Sequence, residues 1–205
     1  ENKAGAAGVI AADHVAKQNN DGSTLLMAHI NSHAIAPSLQ PKLGYVVERD
    51  FTPLVLVGVT PNLLICNTQQ PAKTVKDLVE LCKQNPGKIS FASAGGGSAQ
   101  HLALEAFKLR AGIQALHVPY KGVGPAYQDL LAGQLNFLFP DVASALSLIK
   151  SGKIIPIASE QRTPLLPGLP TVAEAGVADV STNSSFSLVA PTGTPAAVVE
   201  RMSRE

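Results

Sequence analysis

The sequence predicts an α/β fold divided into two domains. Short apolar runs recur along the chain, amphipathic helices separate them, and the two flanks are less regular and richer in proline than the middle. Strands bounded by turn residues and alternating with helices of period 3.6 are the pattern of a layered α/β protein. Buried strands are expected at residues 24–28, 54–59, 63–66, 89–92, 115–118, 136–139, 154–158 and 186–190. Between them, Val75, Leu78, Val79 and Cys82 form one helical stripe, opened by Thr74 as N-cap with Asp77 at the reciprocal position. Ala99, Leu102, Ala103, Ala106 and Phe107 form the next, Tyr127, Leu130 and Leu131 a shorter one stopped by Gly133, and Val142, Ala145, Leu146 and Ile149 the last of the middle region. Thr194 followed by Pro195 marks a further helix start near the end. Helices on both faces imply a largely parallel sheet. The flanks are expected to form one domain (residues 1–70 and 181–205) and the middle another (71–180).

Composition narrows the function. Of 205 residues, 45% are hydrophobic and 15% charged, so the chain can bury enough surface to offset its ordering entropy, and disorder is excluded. Sixteen Lys and Arg stand against fifteen Asp and Glu, with no block of like charge. Nucleic-acid binding therefore has no electrostatic drive, and no such partner is expected. No membrane insertion is expected either, because the most apolar stretch, residues 51–66, is broken by Pro53 and Pro61. Cys66 and Cys82 lack the spacing of a metal or redox pair. They form a disulfide only in an oxidising compartment; otherwise Cys82, sharing a stripe with Leu78, is a buried thiol.

The most specific local feature is the run from Ser93 through Ala94, Gly95, Gly96, Gly97 and Ser98 to His101, between an expected strand and an expected helix. Three glycines leave backbone N–H groups unshielded, and Ser98 can cap the helix, whose N-terminus adds partial positive charge. Such a turn suits a carboxylate, phosphate or sulfate. It lacks the lysine of a P-loop, the third glycine of a dinucleotide fingerprint and the spacing of a nucleophile elbow. A ligand-free turn is the plain alternative.

Asn31, Ser32 and His33 follow an expected strand and read as a polar loop at its carboxyl end, where open α/β sheets place ligands. No glutamate accompanies His29 and His33, so no metal is expected there. After another strand, Tyr120 offers a hydroxyl and Lys121 a cation that would neutralise an anionic ligand; Lys121 reads equally as a solvated loop lysine. Asp141 follows the strand at 136–139, as helix cap or as cleft contact.

Several runs together carry a family resemblance: Phe91 to Ala103, His117 to Gly122, Leu166 to Gly176, Asp21 to Met27, and Ala190 to Ala196. In family order they resemble the extracytoplasmic solute receptors of bacterial tripartite tricarboxylate transporters, the Bug family. The resemblance implies a periplasmic binding protein-like fold, two α/β domains with a ligand cleft between them, and no cofactor. It implies a small organic carboxylate as ligand (a di- or tricarboxylate, an amino acid or an aromatic acid) and a membrane permease as partner. Carboxylates in that family are held largely by backbone amides, hydroxyls and water. By the same resemblance Asn31, Ser32 and His33 belong to the first-domain ligand loop, Ser93 to Ser98 to the second-domain carboxylate loop, and Tyr120, Lys121 and Asp141 to the cleft border. Ala36, Ser23 and Ser185 depart from the usual asparagine, tyrosine and aromatic residue. The chain starts inside the family pattern, so the first domain is expected to be incomplete, and the signal peptide of a periplasmic protein would precede it.

Two rival classes remain open from sequence. A hydrolase or transferase would use Ser98 beside the glycine-rich loop as an oxyanion site. An effector-sensing domain of a transcription regulator would need a helix-turn-helix, and none precedes the domain.

Overall fold

The computed structural model describes residues 1–204 and divides the chain into two compact units. The first comprises Glu1–Val59 and the chain from Ser184 onward; the second is Thr60–Asn183. The boundary falls eleven residues before the one drawn from sequence. The reason is Leu63–Asn67, a strand wholly buried between two strands of the second unit.

In the first unit, α1 (Val9–Ala16) precedes β1 (Leu26–His29), a helical segment, β2 (Phe51–Thr60), and later β8 (Ser184–Pro191) and α8 (Ala196–Arg204). The sheet order is β1-β8-β2, with β1 antiparallel to β8 and Leu26 opposite Val189. Ala12 and Val15 of α1 meet Leu26, Ala28, Tyr45, Phe51 and Val189 in one small core. Two expectations fail here. Residues 31–35, read as a loop, form a π-helical turn (Asn31–Ile35) that runs on into α2 (Ala36–Leu39). Pro37 does not break this helix, because the Ser32 carbonyl that residue 37 would bond in the π turn accepts the Tyr45 hydroxyl at 2.6 Å instead. The second failure is β2, read as buried. It is an edge strand that exposes Val55, Leu56, Val57 and Val59, because no element covers it after α3 (Val47–Asp50).

The second unit is built on β3 (Leu63–Asn67), β4 (Ser90–Ser93), β5 (Leu116–Pro119), β6 (Phe137–Leu138) and β7 (Ile154–Ser159), in the order β5-β4-β6-β3-β7. Helices α4 (Val75–Gln84), α5 (Ala99–Ala111), α6 (Val123–Leu131) and α7 (Val142–Lys150) connect them. The sheet is mixed rather than largely parallel. Strand β4 pairs parallel with β5 and β6, whereas β3 is antiparallel to β6 and β7. All five residues of β3 are buried, so its sequence shows no alternation from which direction could be read.

Alternation does assign the two faces. Leu64, Cys66, Phe91 and Phe137 pack on one side with Leu78 of α4 and Phe107 of α5. Leu63, Ile65, Ala92 and Leu138 pack on the other with Leu130 of α6 and Ala145 of α7. Phe91 stacks on Phe137 with ring centroids 5.1 Å apart. The Thr74–Asp77 capping box forms as the sequence implies. Cys66 and Cys82 are both buried free thiols, and burial pushes the Cys82 thiol up to about 11.

Candidate functional site

The parallel trio β5-β4-β6 sends three loops to one sheet edge. Ser93 at the end of β4 lies opposite Pro119 of β5, and the Tyr120 amide donates to the Ser93 carbonyl at 3.1 Å. Ala92 lies opposite Leu138 of β6, which leads through Pro140 to Asp141. Ser93 to Ser98, Tyr120, Lys121 and Asp141 thus gather at the carboxyl ends of the parallel strands, where open α/β sheets bind ligands.

The glycine loop is internally bonded. Ser93 is fully buried; its Oγ accepts the Gly95 amide at 3.2 Å and lies 2.7 Å from His117 Nε2. The Ser98 hydroxyl donates to the Gly95 carbonyl at 2.8 Å and accepts the His101 amide at 3.2 Å, the N-cap of α5. The Ser98 amide itself reaches the Gly95 carbonyl at 3.2 Å. Gly97, at φ +75°, donates its amide to His101 Nδ1 at 3.1 Å. Only glycine adopts that left-handed backbone without strain. Gly96 sits exposed at the tip, with nothing within 4 Å of where a Cβ would stand. Ala94 is half-buried beside it.

His101 was quoted in the motif but given no role from sequence; the structure places it at the centre. Its ring stacks on His117 with centroids 3.9 Å apart and 12° between planes. Burial, and then the neighbouring His101, hold the His117 imidazole down at about 4.

The other residues of this edge are differently engaged. The Tyr120 hydroxyl donates to Asp129 Oδ2 at 2.6 Å, and burial with that bond raises it to about 12. Lys121 is exposed and has no hydrogen-bond or ion-pair partner among the described residues. Asp141 caps α7: Oδ1 accepts the Ser144 amide at 2.9 Å and Oδ2 the Ser144 hydroxyl at 2.9 Å. A triad of Ser98, a histidine and Asp141 is not assembled, since Ser98 bonds to a carbonyl and Asp141 to Ser144.

In the first unit, Asn31 and Ser32 are buried in the π-helical turn. The Ser32 hydroxyl donates to the His29 carbonyl at 3.1 Å and lies 2.9 Å from His33 Nδ1, while the Tyr45 hydroxyl holds the Ser32 carbonyl at 2.6 Å. His33 Nε2 is buried without a hydrogen-bond partner among the described residues. Burial lowers the His33 pKa. An apolar cavity of about 360 Å³ adjoins it, lined by His33, Val47, Phe51 and Val189 among others. A larger one of about 560 Å³, around His14 and Gln18, shares no lining residue with the candidate site. No group of three or more His, Cys, Asp and Glu is placed to hold a metal among the described residues.

A family profile matches residues 1–204, and its description is that of the tripartite tricarboxylate transporter family receptor. The chain belongs to this receptor family. Among curated relatives, a protein from the tcbD–tcbE intergenic region of Pseudomonas sp. strain P51 is 38% identical over the whole chain, and BugT of Bordetella pertussis is 36% identical. The chain spans 62% and 64% of their respective lengths. Among solved structures, Rpa4515 of R. palustris with adipate superposes at TM-score 0.94 and 35% identity, over 98% of this chain and 68% of that one. MatC of Rhodopseudomonas palustris with bound malate gives 0.88 and 32%, over 97% and 68%. The receptor family thus shares the two-unit α/β architecture expected from the resemblance. No helix among the described residues is long and apolar enough to cross a membrane.

Proposed function

We propose that the chain is part of a periplasmic receptor that captures a small organic carboxylate at the Ser93–Ser98 loop and delivers it to a membrane permease. The observation that carries this reading is the loop itself: a glycine tip at the N-terminus of α5, on the sheet edge where three parallel strands end. Backbone amides and the helix end supply positive potential without a buried cation. That suits a protein with a net charge of +1. The receptor family and the adipate and malate carried by two relatives support a dicarboxylate as ligand.

Binding without turnover is favoured over hydrolysis, because the Ser98 hydroxyl is fully buried and points to the Gly95 carbonyl rather than to a base. Titration calorimetry with adipate and malate tests the reading, followed by recovery of the acid after denaturation. A receptor returns it unchanged; a converted product makes the protein an enzyme.

A further inference from the structure

The amide that the loop would offer to an anion is already held by a histidine. Gly97 N–H donates to His101 Nδ1 at 3.1 Å, so Nδ1 is a bare acceptor and the neutral ring carries its proton on Nε2. Nε2 lies 3.7 Å from Glu105 Oε1, and about a quarter of the His101 side chain remains exposed to solvent. We propose that capture of an anion at this loop draws the Gly97 amide away from His101 and is accompanied by uptake of one proton at His101 Nδ1. The inference rests on the carboxylate site read above and adds its regulation.

The physical reason is the clash of two acceptors. Once Gly97 turns to the anion, the Nδ1 lone pair faces a carboxylate oxygen with nothing between them. A proton from the buffer, bound at Nδ1, converts the ring to a donor aimed at the anion; the hydrogen bond lost is that from Gly97 N–H to Nδ1, and those gained run from Gly97 N–H and Nδ1–H to the anion. Glu105 faces the Nε2–H of the resulting imidazolium. Opposing charge comes from Lys108 on the same helix, 2.8 Å from Glu105, and from any proton on the stacked His117. The strands β4 and β5 beside the stack contribute no titratable group other than His117. Burial keeps His117 neutral, so the stacked ring brings no charge to oppose that proton.

Calorimetry of the chain with adipate and with malate, near neutral pH in two buffers of different ionisation heat, counts the protons. The expected result is net uptake approaching one proton per ligand and an affinity that falls as pH rises. His101→Asn keeps an acceptor near the Nδ1 position but does not titrate; it should bind with the uptake abolished and the pH dependence flattened. As a readout that needs no variant, the His101 ring resonances of the unaltered chain should move to imidazolium positions on ligand addition. Heats independent of buffer, uptake that persists in His101→Asn, or unmoved ring resonances overturn the proton coupling while leaving the receptor reading intact. Absence of binding to either acid overturns the dicarboxylate reading of the site and this inference with it.

Discussion

Glu160 holds Asn62 twice across 98 residues of chain: its Oε2 accepts the Asn62 backbone amide at 3.2 Å and the side-chain amide at 3.1 Å. Its Oε1 accepts the Thr182 hydroxyl at 2.7 Å, and all of this is inside the second unit. Asn62 follows the point where the chain enters that unit, and Thr182 precedes the point where it leaves. One buried carboxylate therefore ties entry to exit. Burial raises the Glu160 pKa against the pull of these bonds.

Glu160→Ala should remove a buried acceptor shared by Asn62 and Thr182, lowering the stability of the second unit by roughly 1–3 kcal/mol. Urea unfolding followed by circular dichroism measures this. A midpoint unchanged from the parent chain would mean that water replaces the carboxylate at no cost.

Acid should weaken the fold through two half-buried imidazoles. His33 and His117 have folded-state pKa values below their unfolded value of 6.5. The unfolded chain then binds protons that the folded chain does not. Their contribution is full above 6.5 and is lost progressively as pH falls toward the folded value, about 4 for His117. Urea midpoints compared between about pH 7 and pH 5 should fall, and less steeply in His117→Gln. An equal slope in the variant would remove His117 from the account.

The exposed edge strand β2 should promote self-association. Its apolar residues Leu56 and Val57 are 60% and 57% exposed on an unpaired edge. Sedimentation velocity over a concentration series should show association, reduced in Val57→Lys. Identical profiles for the two chains would show that this edge is inert.

The eight strands among the described residues were legible in the sequence, because apolar runs bounded by turn residues mark each of them. Strand direction was not, since β3 is buried on both faces and carries no alternating signal. The turn Asn31–Ile35 was read as a loop because its polar residues look solvated. They are buried instead, through bonds such as Tyr45 to Ser32 that join distant positions. The same limit hid the commitments of Tyr120 to Asp129 and of Gly97 to His101. Glu160 left one readable sign, a lone charge directly after the apolar run of β7. The Asp141 cap, by contrast, was foreseeable from a strand ending just ahead of a helical stripe.

The cap and the glycines make separable contributions at the loop. Ser98→Ala should cost about 0.5–2 kcal/mol of stability by removing the N-cap of α5, and weaken carboxylate binding through the displaced loop. Thermal unfolding with and without ligand separates the two effects; full affinity in the variant would show that the cap does not position the site.

The central claim is that the backbone amides of the glycine loop, not the charge of Lys121, hold the ligand. Titration calorimetry of adipate and malate against Gly96→Ala, Gly97→Val and Lys121→Ala tests it most directly. Gly96 has open space and an ordinary φ, so its alanine variant should fold normally and lose affinity only because the methyl group occupies ligand space. Gly97→Val should abolish binding, since it adds a β-branched side chain at φ +75°. Lys121→Ala should bind within about threefold of the parent chain, as expected for an exposed charge. Should Lys121→Ala be the most damaging of the three, the ligand is held by the lysine, and the assignment of the anion site to the Ser93–Ser98 loop is wrong.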